Sequence, residues 1–173
     1  MGPARLGPIG TSPGQAGQVV VRPAVDDDLA TIVDHTWAVA AEGRWIGTEV
    51  PFDRDTRRQR LSTLMSSETS TLLVADATPA GGPGVVGQVS VVVAPYGVAD
   101  IGMLVIAGWR GRGVGTALLQ AGISWARAAG AHKVALFHHG PDRTDTLIDN
   151  LVERLNSPAL PVIGAAVGGE LEL

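Results

Sequence analysis

The chain has 173 residues, of which 45% are hydrophobic, and its 13 basic and 17 acidic side chains give a net charge of −4. This length suits one domain that buries most of its apolar surface, and the acidic balance excludes a basic field that would attract nucleic acid. Cysteine is absent, which excludes disulfides, thiolate metal sites and cysteine nucleophiles. We find neither an apolar run of the ~18 residues that span a membrane nor a secretory signal, so we expect a cytoplasmic protein that binds no membrane.

Glycine, proline and small polar side chains dominate residues 1–18, which predicts a disordered tail. A short strand is predicted over residues 19–22, ended by Pro23. Three aspartates, Asp26 to Asp28, lie where a helix begins, and capping explains them better than a magnesium site would. Apolar residues then recur at helical spacing: Leu29, Ile32, Val33, Trp37 and Val39 or Ala40.

The middle of the chain alternates from helix to strand. A loop over residues 41–51 leads into a second helix at 53–66, where four arginines surround a polar face: Arg54, Arg57, Arg58 and Arg60. Strands are predicted at 70–76, 85–94 and 100–106, and the Pro/Gly turn at 77–84 pairs the first two antiparallel. A long helix follows at 113–129 with Gly130 as its C-cap, and then a strand at 133–137.

The most informative segment joins the strand at 100–106 to the long helix. Three alternating glycines, Gly111, Gly113 and Gly115, lack the Cβ atoms that would keep a ligand away from the backbone amides. The helix adds its dipole and unpaired N–H groups, and Arg110 and Arg112 add mobile positive charge. These features predict a cradle for a diphosphate.

Comparison with the motifs of known phosphate-binding loops narrows the range of diphosphate ligands. Thr116 stands where a dinucleotide-binding fingerprint needs its third glycine, no lysine of a Walker loop is present, and the kinase motifs are missing. The remaining R-x-x-G-x-G pattern resembles the pyrophosphate loop of the GNAT superfamily of N-acetyltransferases, and the preceding strand resembles the strand along which that family's acetyl-pantetheine lies. The residues that match these cofactor-binding positions are Met103, Leu104, Val105, Arg110, Gly111, Arg112, Gly113, Val114, Gly115 and Thr116.

The resemblance covers residues 19–136 and implies an α/β (α+β) fold: a mixed, mostly antiparallel sheet with a splayed central strand and flanking helices. It implies acetyl-CoA as cosubstrate and a small-molecule primary amine as acceptor. The four arginines of the second helix then form either a solvated face or a grip on the 3′-phosphate of coenzyme A.

The same resemblance implies roles for individual residues. The backbone N–H of Val105 matches the position that polarises the thioester carbonyl. Asp100, at the start of its strand, is our candidate for the general base, with a turn-ending aspartate as the alternative. Glu42, Trp45 and Glu49 lie in the loop that forms a wall of the acceptor pocket in this family, where surface placement is the alternative for each.

After residue 136 the chain departs from the GNAT pattern. The family's segment with a tyrosine acid is missing, and the only tyrosine in the chain, Tyr96, matches no such position. Residues 133–173 instead resemble the end of metallo-β-lactamase-fold hydrolases, where the histidine that matches His138 binds a metal. The other ligands of that family are missing, so we predict that no metal site forms with His138 and His139.

Two explanations for residues 137–173 stay open: a fusion with another gene, or an acetyltransferase with an unusual final helix and strand. The predicted function is therefore N-acetyl transfer, and the alternative is a catalytically impaired acyl-CoA-binding or interaction protein. A missing last strand would expose an edge of the sheet, which predicts a homodimer.

Overall fold

The computed structural model describes residues 19–137 and 161–165, together with Glu153 and Asn156. Six strands and three helices lie in these ranges. The strands are β1 (Val20–Pro23), β2 (Ser70–Asp76), β3 (Val85–Val93), β4 (Val98–Val105), β5 (Lys133–Phe137) and β6 (Val162–Ala165). The helices are α1 (Leu29–Ala41), α2 (Arg54–Ser66) and α3 (Val114–Ala128).

The strands form one sheet in the order β1-β2-β3-β4-β5-β6. The β1–β2, β2–β3 and β3–β4 pairs are antiparallel, and β4–β5 and β5–β6 are parallel. Pairing of β4 with β3 reaches Val105, whereas its described pairing with β5 ends at Ile101. The last residues of β4 therefore have a strand neighbour on one side only within the described ranges, which fits the expected splay.

The helices cover opposite faces of the sheet, because neighbouring residues of a strand point to opposite sides. Helix α3 packs in a core with Leu73 and Ala75 of β2. Residues of α1 and α2 pack in a second core with Leu72 and Val74 of the same strand. The loop that begins α3 and the loop between α1 and α2 therefore approach the sheet from different sides.

The aspartates before α1 have a local structural role. Asp26–Asp28 form a 3₁₀ turn, and the buried carboxylate of Asp28 accepts hydrogen bonds from the Val25 amide at 2.8 Å and from Arg22 at 2.7 and 3.0 Å. The hydrogen bonds from Arg22 and Val25 lower the pKa of Asp28 against the opposing effect of burial. Capping therefore explains Asp28, and among the described residues no three histidine or carboxylate side chains lie close enough together to hold a metal ion.

The predicted elements agree with the structure to within two residues at their ends, and the mixed sheet is confirmed. The edge that a missing last strand would expose is covered at β5, because β6 pairs with residues 134–137. The homodimer, which rested on that edge, stays a prediction. The tail at 1–18, His138, His139 and most of the region 137–173 lie outside the described residues.

Candidate active site

The glycine-rich loop between β4 and α3 contains two residues whose backbone conformation only glycine adopts easily. Gly111 and Gly113 have φ angles of 72° and 81°, and a Cβ on either would meet nothing within 4 Å. Gly113 is the N-cap of α3 and has no side-chain cap. The first intrahelical amide is that of Ala117, which donates to the Gly113 carbonyl at 3.0 Å. The amides of Val114, Gly115 and Thr116 are therefore directed out of the open end of the helix.

The unpaired edge of β4 lies next to this loop. Ile106 donates its N–H to Val86 of β3 at 3.1 Å, so alternation turns the N–H groups of Val105 and Met103 away from β3, toward the splay. A Cβ on Gly115 would meet the side chains of Met103 and Val105 at 3.9 Å. The start of α3 therefore lies beside the end of β4, and we call their unpaired backbone amides the wall.

Arg110 is held in place instead of supplying mobile charge. Its Nε donates to the Val105 carbonyl at 2.8 Å, and its other nitrogens donate to both carboxylate oxygens of Glu42 at 2.6 and 2.8 Å. The Arg110 guanidinium lies 4.6 Å from the ring centroid of Trp45, and the indole N–H of Trp45 donates to Glu42 at 2.6 Å. These four residues form what we call the Arg110 latch: Arg110, Glu42, Trp45 and the Val105 carbonyl.

The latch changes the interpretation of Glu42, predicted from the sequence to lie in the acceptor pocket. The hydrogen bond from Arg110 lowers the pKa of Glu42, and both of its oxygens are occupied within the protein. A carboxylate in this state is a weak proton acceptor. Glu42 therefore ties the α1–α2 loop to the end of β4.

The other predicted cofactor residues lie where the loop and strand place them. Arg112 is exposed and stacks over Trp109 at 5.1 Å, and Thr116 is exposed in the first turn of α3. Val114 is buried at 2% exposure, so only its amide is available to a ligand. Leu104 is buried on the face opposite Met103 and Val105, which leaves its backbone as its contribution to the wall.

The predicted acceptor side is the sheet face that carries α1 and α2. Asp100 and Gly102 are exposed there, and Gly102 is paired with Ser90 of β3, whose hydroxyl donates to the Gly102 carbonyl at 3.2 Å. Asp100 and Gly102 lie on the same face of β4, because they are two residues apart in the strand. Trp45 is half-buried and Glu49 is exposed in the α1–α2 loop. Sequence reasoning missed Ser90, since only the β3–β4 register reveals that it faces Gly102.

The latch predicts a pH-dependent contribution to stability. Because the pKa of Glu42 is lower in the folded protein, ionised Glu42 stabilises the fold at pH values above the unfolded-state pKa of about 4.3. This stabilisation is lost as the pH falls through the lower pKa of the folded state. We expect Glu42→Gln to lower Tm at pH 7, with the difference from wild type closing below about pH 4. Thermal denaturation from pH 3 to 8 measures this. A constant difference at every pH would contradict the latch.

Comparisons with solved structures define the class to which this fold belongs. The chain is similar to a GCN5-related N-acetyltransferase from Kribbella flavida (28% identity, TM-score 0.57, 66% of this chain and 68% of that one). It is also similar to an acetyltransferase from Trypanosoma brucei (20% identity, TM-score 0.59, 90% and 99%). A GNAT superfamily phosphinothricin acetyltransferase from Sinorhizobium meliloti, solved in complex with acetyl-CoA, matches with 21% identity and a TM-score of 0.56 over 64% and 60%. The fold is that of the acetyltransferases.

The family follows from the sequence. The model of the acetyltransferase (GNAT) family matches residues 31–147, which is more than half of the chain. The chain therefore belongs to the acetyltransferase (GNAT) family and is an enzyme of the N-acetyltransferase class. A search of the curated proteins gave no match. The matched range runs past Lys133, and the resemblance of the last residues to metallo-β-lactamase-fold hydrolases stays a prediction.

None of the helices within residues 19–137 has the length and apolar character that crossing a membrane requires.

Proposed function

We propose that this protein transfers the acetyl group of acetyl-CoA to the primary amine of a small molecule. The observation that carries the proposal is the wall formed by the open amides of α3 and the unpaired edge of β4. A diphosphate suits the helix end, because unpaired N–H groups and the helix dipole both favour an anion. The extended, amide-containing pantetheine part of acetyl-CoA suits the edge of β4, because its amides can form the hydrogen bonds that a neighbouring strand would form there.

The residues of the wall and the acceptor face divide the chemistry between them. The Val105 N–H, directed into the splay, donates to the thioester carbonyl oxygen as negative charge develops there. The amine nitrogen attacks the carbonyl carbon, the carbon–sulfur bond breaks, and the sulfur leaves as thiolate. The proton lost by the nitrogen passes to Asp100 through a chain of water molecules, because Asp100 lies five residues before Val105 in β4. Holding both reactants in one cleft lowers the barrier by several kcal/mol in such reactions.

The thiolate needs no dedicated acid for this scheme. Tyr96 is 59% exposed in the turn before β4, at the opposite end of the strand from Val105. Because a thiol has a pKa of about 8.5, the leaving thiolate is stable enough to depart and to take a proton from water. We therefore expect turnover without a tyrosine acid.

The proposal is tested by two measurements on the full chain. Acetyl-CoA should raise Tm, and thiol release should accelerate when members of a panel of amino acids, polyamines and aminoglycosides are added. A Tm shift without thiol release from any amine would favour the alternative, an impaired acyl-CoA-binding protein. Absence of both signals would contradict the proposal.

A further inference from the structure

Arg57 differs from the other arginines of α2. It lies on the same helical stripe as Leu61 and Leu64, four and seven residues further on, which pack in the core between α2 and the sheet. Arg57 is half-buried, whereas Arg54, Arg58 and Arg60 are exposed. The sequence left a solvated face and a grip on the 3′-phosphate open for the four arginines, and Arg57 does not lie on a solvated face because its stripe faces inward.

The charge of Arg57 is not balanced within the described part of the chain. Its Nε is buried without a hydrogen-bond partner, and no described carboxylate forms an ion pair with it. By contrast, Arg22 pairs with Asp28 and Asp76, and Arg110 pairs with Glu42. Burial, assisted by the charge of Arg60, lowers the pKa of Arg57. An unpaired buried donor of a cation costs free energy that a complementary anion would recover.

The place of Arg57 in the fold indicates which anion could reach it. Helix α2 covers the sheet face opposite α3, so Arg57 and the start of α3 lie on different sides of the sheet. One turn before Arg57, Arg54 lies over the ring of Trp37 at 4.7 Å, and Trp37 packs against Phe52 at 5.1 Å. These contacts pack the beginning of α2 against α1, on the sheet face that we propose holds the acceptor.

A second unsatisfied atom lies on the same face. Gln88 of β3 pairs with Val74, which belongs to the core under α1 and α2, so the two side chains share that face. Gln88 is 7% exposed, and its Oε1 is buried without a hydrogen-bond partner among the described residues. The same face of the sheet thus holds a buried donor and a buried acceptor that lack partners among the described residues.

We propose that Arg57 binds a carboxylate carried by the acceptor molecule, so that the preferred substrate is an amine with a carboxylate of its own. This inference rests on the proposed acetyl transfer and specifies its substrate class. The guanidinium offers a planar fork that matches a carboxylate, whereas a neutral carboxamide in its place would forfeit the charge-assisted hydrogen bonds. Arg57 is then a specificity-determining residue.

The experiment compares matched acceptors that differ only in this group: amino acids and the corresponding amino acid amides, assayed by thiol release from acetyl-CoA. We expect wild type to prefer the carboxylate of at least one pair by about 10- to 100-fold in kcat/KM, mainly through KM. Arg57→Gln should abolish that preference by raising KM for the carboxylate member of the pair. Arg58→Gln, which alters an exposed neighbour, should retain the preference, and Arg57→Lys should retain part of it.

The outcomes separate this inference from the function on which it rests. Acetylation of amines with no carboxylate preference, or with a preference that survives in Arg57→Gln, overturns the role of Arg57 and leaves acetyl transfer intact. Absence of thiol release with every amine overturns acetyl transfer itself. Calorimetry with coenzyme A and dephospho-coenzyme A supplies a further arm. If Arg57→Gln binds coenzyme A more weakly than wild type does but binds dephospho-coenzyme A equally well, Arg57 contacts the 3′-phosphate and the inference is overturned.

Discussion

A Gly113→Val variant is expected to lose the rise in Tm that acetyl-CoA gives to wild type, and at least 100-fold in kcat/KM. Gly113 has a φ of 81°, where a residue with a Cβ is strained by about 1–2 kcal/mol and a β-branched residue by more. The loop would relax toward another conformation, in which its amides no longer point together at the proposed diphosphate position. Differential scanning fluorimetry with and without acetyl-CoA measures the effect.

Two further glycine variants separate this loss from a general defect in folding. Gly108 is exposed, has no positive φ, and a Cβ there would meet nothing within 4 Å, so Gly108→Val should keep the full shift. Gly115→Ala adds a methyl group at ordinary contact distance in the first turn of α3, which should stabilise the free protein by about 0.5–1 kcal/mol while weakening acetyl-CoA binding. A folded Gly113→Val protein with an undiminished shift would refute the cradle.

Asp100→Asn is expected to lower kcat/KM by about 10²- to 10³-fold, the usual contribution of a general base. Asp100 is exposed on β4, on the same face of the strand as Gly102. Asparagine keeps the size and polarity of the side chain but cannot take a proton from the amine. The acidic limb of the kcat/KM profile against pH should flatten in the variant, and the Tm shift caused by acetyl-CoA should stay unchanged.

The control for Asp100 is an exposed carboxylate away from the site. Glu68 lies in the turn between α2 and β2, and Glu68→Gln should retain the wild-type rate and pH profile. If Asp100→Asn keeps both as well, the proton acceptor is another group. Glu42 is a weak replacement, because its two oxygens are already bonded to Arg110 and Trp45.

The sequence predicts the elements of this fold and its cofactor loop because the signals are local. Strand alternation, the Asp53 side chain that caps α2 by accepting from Thr56 at 2.6 Å, and the glycines before α3 all act within a few residues. Each of these signals fixes the backbone conformation of the residues around it and does not depend on the rest of the fold. The elements can therefore be assigned from the sequence alone.

The parts that could not be predicted depend on distant residues. Arg110 and Glu42 are 68 positions apart, and only the fold brings the α1–α2 loop to the end of β4. The same holds for Gln88 and Arg57, whose unsatisfied atoms become visible only once their neighbours are known. The sequence around a charged or polar residue does not show whether the fold will bring a hydrogen-bond or ion-pair partner to its side chain.

Amide chemical shifts offer the most direct test of where the coenzyme's paired phosphates bind. In a titration of ¹⁵N-labelled protein with coenzyme A, the account predicts that the amides of Gly111, Gly113 and Gly115 shift strongly and saturably, together with those of Met103 and Val105. Shifts concentrated in another part of the molecule, with the glycine amides unmoved, would contradict it.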